Sequence, residues 1–200
     1  MLLRVVALLL TELVLCGSGV AAPFDIVRFP SLDDQHTVLD AYLFRPSGSG
    51  RSPAVVFLHG CGGVLNSNGQ INSRETDWAG RLNAIGYAVL IVNSLTPRHH
   101  GETCSVSGAD PEIVRDRPKD AYGGLAWLQA QDFIRGDRVA VMGWSQGGGG
   151  VLFAVGTPSA ARPAGCRASA ISALAWLSIR VRAMKKPSLP TGQQRFRPWC

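Results

Sequence analysis

Past Asp137 this chain of 200 residues has no aspartate, no glutamate and no histidine. Residues 1–150 hold 12 Lys+Arg against 14 Asp+Glu, whereas residues 151–200 hold 8 basic groups and no acid. The formal net charge of +6 thus belongs to the last quarter, and the main body carries no basic excess that calls for a nucleic-acid partner. No Cys-x-x-Cys pair and no Cys/His cluster has metal-ligand spacing, so no metal site and no cofactor is expected. Internal repeats are lacking too, and no low-complexity linker precedes residue 156, which points to one domain rather than an array. A charged fraction of 17% beside a hydrophobic fraction of 46% excludes a disordered chain.

What is present at the N-terminus reads as an export signal over residues 1–22. Arg4 supplies a short positive region, Val5 to Leu10 and Leu13 to Leu15 an apolar stretch too short for a membrane anchor, and Gly17 to Ala22 the small residues of a cleavage site. Pro23 disfavours a cut directly after Ala22. The expected product is periplasmic or secreted, with no stable membrane association once the signal is removed. Cys16 would leave with the signal, so Cys61, Cys104, Cys166 and Cys200 remain, and four cysteines permit three full pairings. Cys61 and Cys104 both fall on loops expected at one end of the sheet and are a candidate disulfide.

Along residues 23–156 the pattern is that of an α/β domain. Phe24–Phe29 and Thr37–Arg45 read as an antiparallel opening hairpin, and Ala54–Leu58, Tyr87–Val92 and Arg138–Met142 as strands buried on both faces. Trp78, Leu82 and Ile85 fall at i, i+4 and i+7 on a helix ended by Gly86, and Ala121, Leu125 and Leu128 line a second helix over about 116–131. Asp116, Arg117 and Asp120 read as the charged face of that helix rather than as general acids. A third helix follows over Gln146–Val155. The strand–helix alternation predicts a mostly parallel sheet flanked by helices.

The chemistry is concentrated in Gly143-Trp144-Ser145-Gln146-Gly147. A Gly-x-Ser-x-Gly pentad between a buried strand and a helix is the context of a nucleophile elbow, in which a tight turn lifts the serine hydroxyl above the sheet. The glycines permit the close passage of strand and helix that a Cβ would block.

Together with Phe57-Leu58-His59-Gly60-Cys61-Gly62-Gly63, the strand Gly86–Val92, Pro97-Arg98, Asp120-Ala121-Tyr122 and Arg138–Gly148, this pentad resembles the dienelactone hydrolase family of the α/β-hydrolase fold. The resemblance covers roughly Pro53 to Val155. It implies cleavage of a small-molecule ester or lactone through an acyl-enzyme on Ser145. It further implies an oxyanion hole made by the backbone N–H of Gln146 and one from the glycine loop, at Cys61 or Gly62. Arg98 is the candidate receptor for a substrate carboxylate, and His99, with His100, the candidate rim of the pocket at the C-terminal edge of the sheet.

The family's triad continues after the nucleophile with an acid and then a histidine, on strands this chain does not repeat in sequence. Residues 157–200 are instead basic and rich in Arg, Ser, Pro and Ala, as an out-of-frame translation of a GC-rich gene would be. The expectation is therefore a domain lacking its C-terminal strands, with an unpaired edge beside Arg138–Met142 and poor solubility. Of the four histidines, His36 falls in the opening hairpin and His59 reads as a structural hydrogen-bonding residue. Asn93 offers no carboxylate where this fold often has one. Two other readings stand beside the hydrolase: an inactive hydrolase or binding module without base and acid, and a protein whose basic tail over residues 157–200 targets a membrane or nucleic acid, with Ala168 to Lys186 as a candidate amphipathic helix on an anionic membrane.

Overall fold

In the computed structural model, which describes residues 24–105, 111–156 and 171–173, the apolar runs become one six-stranded sheet. The strands are β1 (Phe24–Pro30), β2 (Val38–Phe44), β3 (Ser52–Leu58), β4 (Ala88–Val92), β5 (Ile134–Gly143) and β6 (Ile171–Ala173). Their order is β1-β2-β4-β3-β5-β6. β1 and β2 form the antiparallel hairpin, β2 pairs antiparallel with β4, and β4, β3, β5 and β6 are mutually parallel. The helices are α1 (Ser73–Ala84), α2 (Pro111–Gln129) and α3 (Gln146–Gly156).

Alternation within the strands divides the core by face. Val56, Leu58, Leu90 and Val92 face a cluster completed by Leu125 and Leu128 of α2 and Val151 of α3. Val55, Phe57, Val89 and Ile91 face the other, where Trp78 and Leu82 of α1 pack with Trp144. Both faces of β3 and β4 are covered, as their continuous apolar runs require.

Four differences from the sequence expectation have physical causes. Ile85 has the helical period but stands beyond the last turn of α1, where it is 69% exposed, and Gly86 at φ +86° ends the helix. α2 begins at Pro111, ahead of the predicted start, with proline at its first helical position. Asp116, Arg117 and Asp120 are buried, not an outer charged face. Finally, β5 is not an open edge: Val139, Ala140 and Val141 are in register with Ile171, Ser172 and Ala173 of β6. The proposed signal at 1–22, the pairing of Cys166 and Cys200, and the rest of the basic tail lie outside the described residues.

Candidate active site

Register builds the site. β3 and β5 pair Phe57 with Met142 and Leu58 with Gly143, so the turns that follow them are neighbours. After β5 the chain reverses at once into α3, and Ser145 carries φ +48° at the turn. A residue with a Cβ pays about 1–2 kcal/mol for that left-handed conformation. The packing around it admits little else. A Cβ on Gly143 would stand 2.6 Å from the backbone of Gly147, and one on Gly147 would stand 2.1 Å from the carbonyl oxygen of Leu58. Trp144 anchors the turn, with its ring 5.8 Å from Phe57 and 5.4 Å from Trp78, centroid to centroid. Ser145 itself is solvent-exposed and lies against the glycine loop: a Cβ built on Gly60 would sit 3.7 Å from that of Ser145.

The glycine loop is held by its carbonyls. Buried Arg117 donates through Nη2 to the carbonyl of His59. The His59 ring donates from Nδ1 to the carbonyl of Gly60 at 2.6 Å, and the Gly63 N–H reaches the same oxygen at 3.3 Å. The carbonyl of Cys61 accepts from the N–H of Thr103 at 2.8 Å and from its hydroxyl at 3.2 Å. In a trans peptide the N–H points opposite to the C=O. The amides of Gly60, Cys61 and Gly62 are thereby aimed away from these three partners. Among the described residues, no backbone hydrogen bond uses the N–H of Cys61 or Gly62.

The His59 tautomer follows from its partners: Nε2 accepts from the N–H of Ser94 at 3.3 Å, which leaves the proton on Nδ1. Complete burial, and then the charge of Arg117, drive this imidazole well below its ordinary range. It is neutral, engaged at both nitrogens, and not a base. Arg117 is pushed down to about 10 by burial and by Arg98, against the pull of Asp120, and stays a cation at neutral pH.

A further strap crosses the loop. Cys61 and Cys104 are joined by a disulfide with 4.9 Å between their Cα atoms. Thr103, beside it, also meets the side chain of Gln146, whose Nε2 donates to the Thr103 hydroxyl at 3.2 Å.

Comparison with known proteins agrees with this geometry. No family model matches the chain. Over 133 residues it is 30% identical to the quorum-quenching protein AidA of Acinetobacter baumannii (strain MDR-ZJ06), covering 66% of this chain and 38% of that protein. Over 123 residues it is 28% identical to a probable 2-oxo-3-(5-oxofuran-2-ylidene)propanoate lactonase of Bradyrhizobium sp., covering 60% of this chain and 47% of that protein. Among solved structures, the α/β hydrolase GrgF from Penicillium sp. sh18 superposes with a TM-score of 0.51 at 19% identity, over 68% of this chain and 43% of that one. The chain has the α/β-hydrolase fold and is similar in sequence to a quorum-quenching protein and to a probable lactonase. It spans less than half the length of the curated relatives it matches.

The structure brings together Ser145, Gln146, Cys61 and Gly62, the residues singled out for nucleophile and oxyanion hole. It places Arg98 elsewhere. The Arg98 guanidinium contacts Asp33 at 2.6 Å and Asp120 at 2.7 Å and 3.1 Å, and donates to the Ser94 carbonyl at 2.7 Å. Its donors are committed to the fold, which removes it as a receptor for a substrate carboxylate. His99 is exposed, at φ +58°, and lines a polar depression of about 350 Å³ with Asp33, Asp34, His100 and Asp116. No residue of the elbow lines that depression. Asn93 caps the turn after β4, accepting from the N–H of Thr96 at 3.2 Å. Arg117 and Thr103 were not read as site residues. Arg117 has the look of a helix-surface charge, and Thr103 is marked in sequence only by its neighbour Cys104.

Proposed function

We propose that the chain is a serine hydrolase that cleaves a small-molecule ester or lactone through an acyl-enzyme on Ser145. One observation carries the reading: the serine stands at φ +48° between strand and helix, against a glycine loop in which the carbonyls of His59, Gly60 and Cys61 are each held by a hydrogen bond. The names of relatives, a lactonase among them, supply the substrate class.

In this mechanism Ser145 Oγ adds to the ester carbonyl as its proton passes to a base. The N–H of Gln146, at the first turn of α3, and the N–H of Cys61 or Gly62 donate to the developing oxyanion. Each such donor contributes about 3–4 kcal/mol to the transition state, and the helix N-terminus adds a favourable dipole. Collapse of the intermediate expels the alkoxide, and water later releases the acid. The loop does this without side-chain chemistry of its own, since Cys61 is tied up in its disulfide.

A fluorophosphonate probe tests the reading, because it reports an activated serine with no assumption about substrate. Covalent labelling of the full chain is expected at Ser145, and Ser145→Ala should abolish it. Absence of labelling in folded protein would replace the hydrolase with the second reading, a hydrolase scaffold that binds without turnover. One observation favours that second reading: the histidine of the glycine loop has both ring nitrogens engaged.

We also read residues 1–22 as an export signal and the product as periplasmic or secreted. The Cys61–Cys104 bond supports this, because disulfides persist in oxidising compartments.

A further inference from the structure

Between the two strands of chain that carry the proposed oxyanion donors runs a relay of hydrogen bonds. The Gln146 side-chain amide donates to the Thr103 hydroxyl at 3.2 Å, and that hydroxyl donates to the Cys61 carbonyl at 3.2 Å. The Thr103 N–H reaches the same carbonyl at 2.8 Å. One threonine therefore touches both halves of the hole from behind. Gln146 contributes its backbone N–H to the site and its side chain to the relay, while the Cys61 carbonyl belongs to the same peptide plane as the Gly62 N–H. Rotation of that plane would re-aim the Gly62 N–H and would break both bonds from Thr103. The disulfide to the adjacent Cys104 keeps Thr103 within reach of the loop.

We infer that Thr103 is a positioning residue: its hydroxyl fixes the Cys61–Gly62 peptide against the first turn of α3 and so holds the spacing of the two oxyanion donors. Thr103 touches no reacting atom and acts through the amides it orients. This rests on the serine-hydrolase reading of Ser145. It goes further by assigning a role to a segment, residues 101–105, outside both the pentad and the glycine loop.

Two probes, one isosteric and one that keeps the hydroxyl, separate the hydroxyl from the shape. Thr103→Val keeps the volume and the backbone N–H but removes the relay, and Thr103→Ser keeps the hydroxyl. Two readouts are taken on the full, disulfide-intact chain: the second-order rate of fluorophosphonate labelling at Ser145, and the exchange rate of the residue-103 amide corrected for side-chain type. Loss of a hydrogen bond of ordinary strength corresponds to roughly 5- to 10-fold. Thr103→Val is expected to slow labelling and to speed amide exchange by about that factor, and Thr103→Ser to behave as the parent chain in both.

If Thr103→Val labels at the parental rate, the positioning role is overturned while the hydrolase reading stands. If the parent chain does not label at all, the hydrolase reading fails, and exchange alone decides whether Thr103 holds the loop. Equal exchange in all three proteins overturns the inference whatever labelling shows.

Discussion

Ser145 occupies a backbone conformation that its own side chain disfavours, and the cost is set by the Cβ rather than by the hydroxyl. Two replacements that both destroy the nucleophile should therefore differ in stability. Ser145→Gly removes the clash and Ser145→Ala retains it, so the glycine variant is expected to exceed the alanine variant by about 1 kcal/mol in denaturant unfolding. Equal midpoints would show that the turn carries no such strain. The residue was legible because everything that shapes it is local: strand, two glycines and helix within one pentad. Arg98 was not, because its carboxylate partners Asp33 and Asp120 stand 65 and 22 residues away and meet it only in the folded chain. An arginine after a strand end looks the same whether it waits for a ligand or closes an internal ion pair.

At the scale of elements, that ion cluster ties three pieces together. The turn between β1 and β2 brings Asp33 and Ser31, the stretch after β4 brings Arg98, and α2 brings Asp120, with the Ser31 hydroxyl donating to Asp120 at 2.7 Å. Burial alone would raise Asp33, but hydrogen bonds from Thr37 and the Arg98 guanidinium outweigh it and hold the carboxyl at about 2 instead of 3.8. A carboxyl depressed on folding stabilises the native state above its unfolded pKa and loses that contribution as pH falls through the folded one. The difference is of order 2 kcal/mol. Asp33→Asn should thus unfold at lower urea than the parent chain at pH 6, and the gap should close between pH 3.8 and pH 2. A gap independent of pH would assign the loss to packing rather than charge. Elements themselves were readable where one rule governed them, as in the doubly buried β3 and β4. The ends were not: Ile85 keeps the helical period past the point where Gly86 turns the chain, and β6 lies within an apolar run whose composition gave no hint of a register with β5.

For the whole molecule, the sheet has two outermost strands, the three-residue β6 on β5 and the longer β1 at the opposite side. β1 is the outermost strand of the order, seven residues long, and its outer edge pairs with nothing among the described residues. Phe24 and Ile26 point from it to one face, at 42% and 66% exposure, and Val38, at the other end of the hairpin, is 59% exposed. A long edge strand with exposed apolar side chains is a template for pairing with another copy. The poor solubility expected from the sequence should therefore arise at β1 rather than beside β5. Ile26→Lys places a charge on that strand where the native side chain buries little, so its effect on stability should stay within about 0.5 kcal/mol. Self-association, followed by light scattering against concentration, is expected to fall clearly in this variant and to be unchanged in Arg28→Lys, which alters the same strand without altering its charge. If both variants associate as the parent does, the edge at β1 is not the adhesive surface, and the apolar cavity of about 100 Å³ between α1 and β5, walled by Trp78, Leu82, Met142 and Trp144, becomes the next surface to alter.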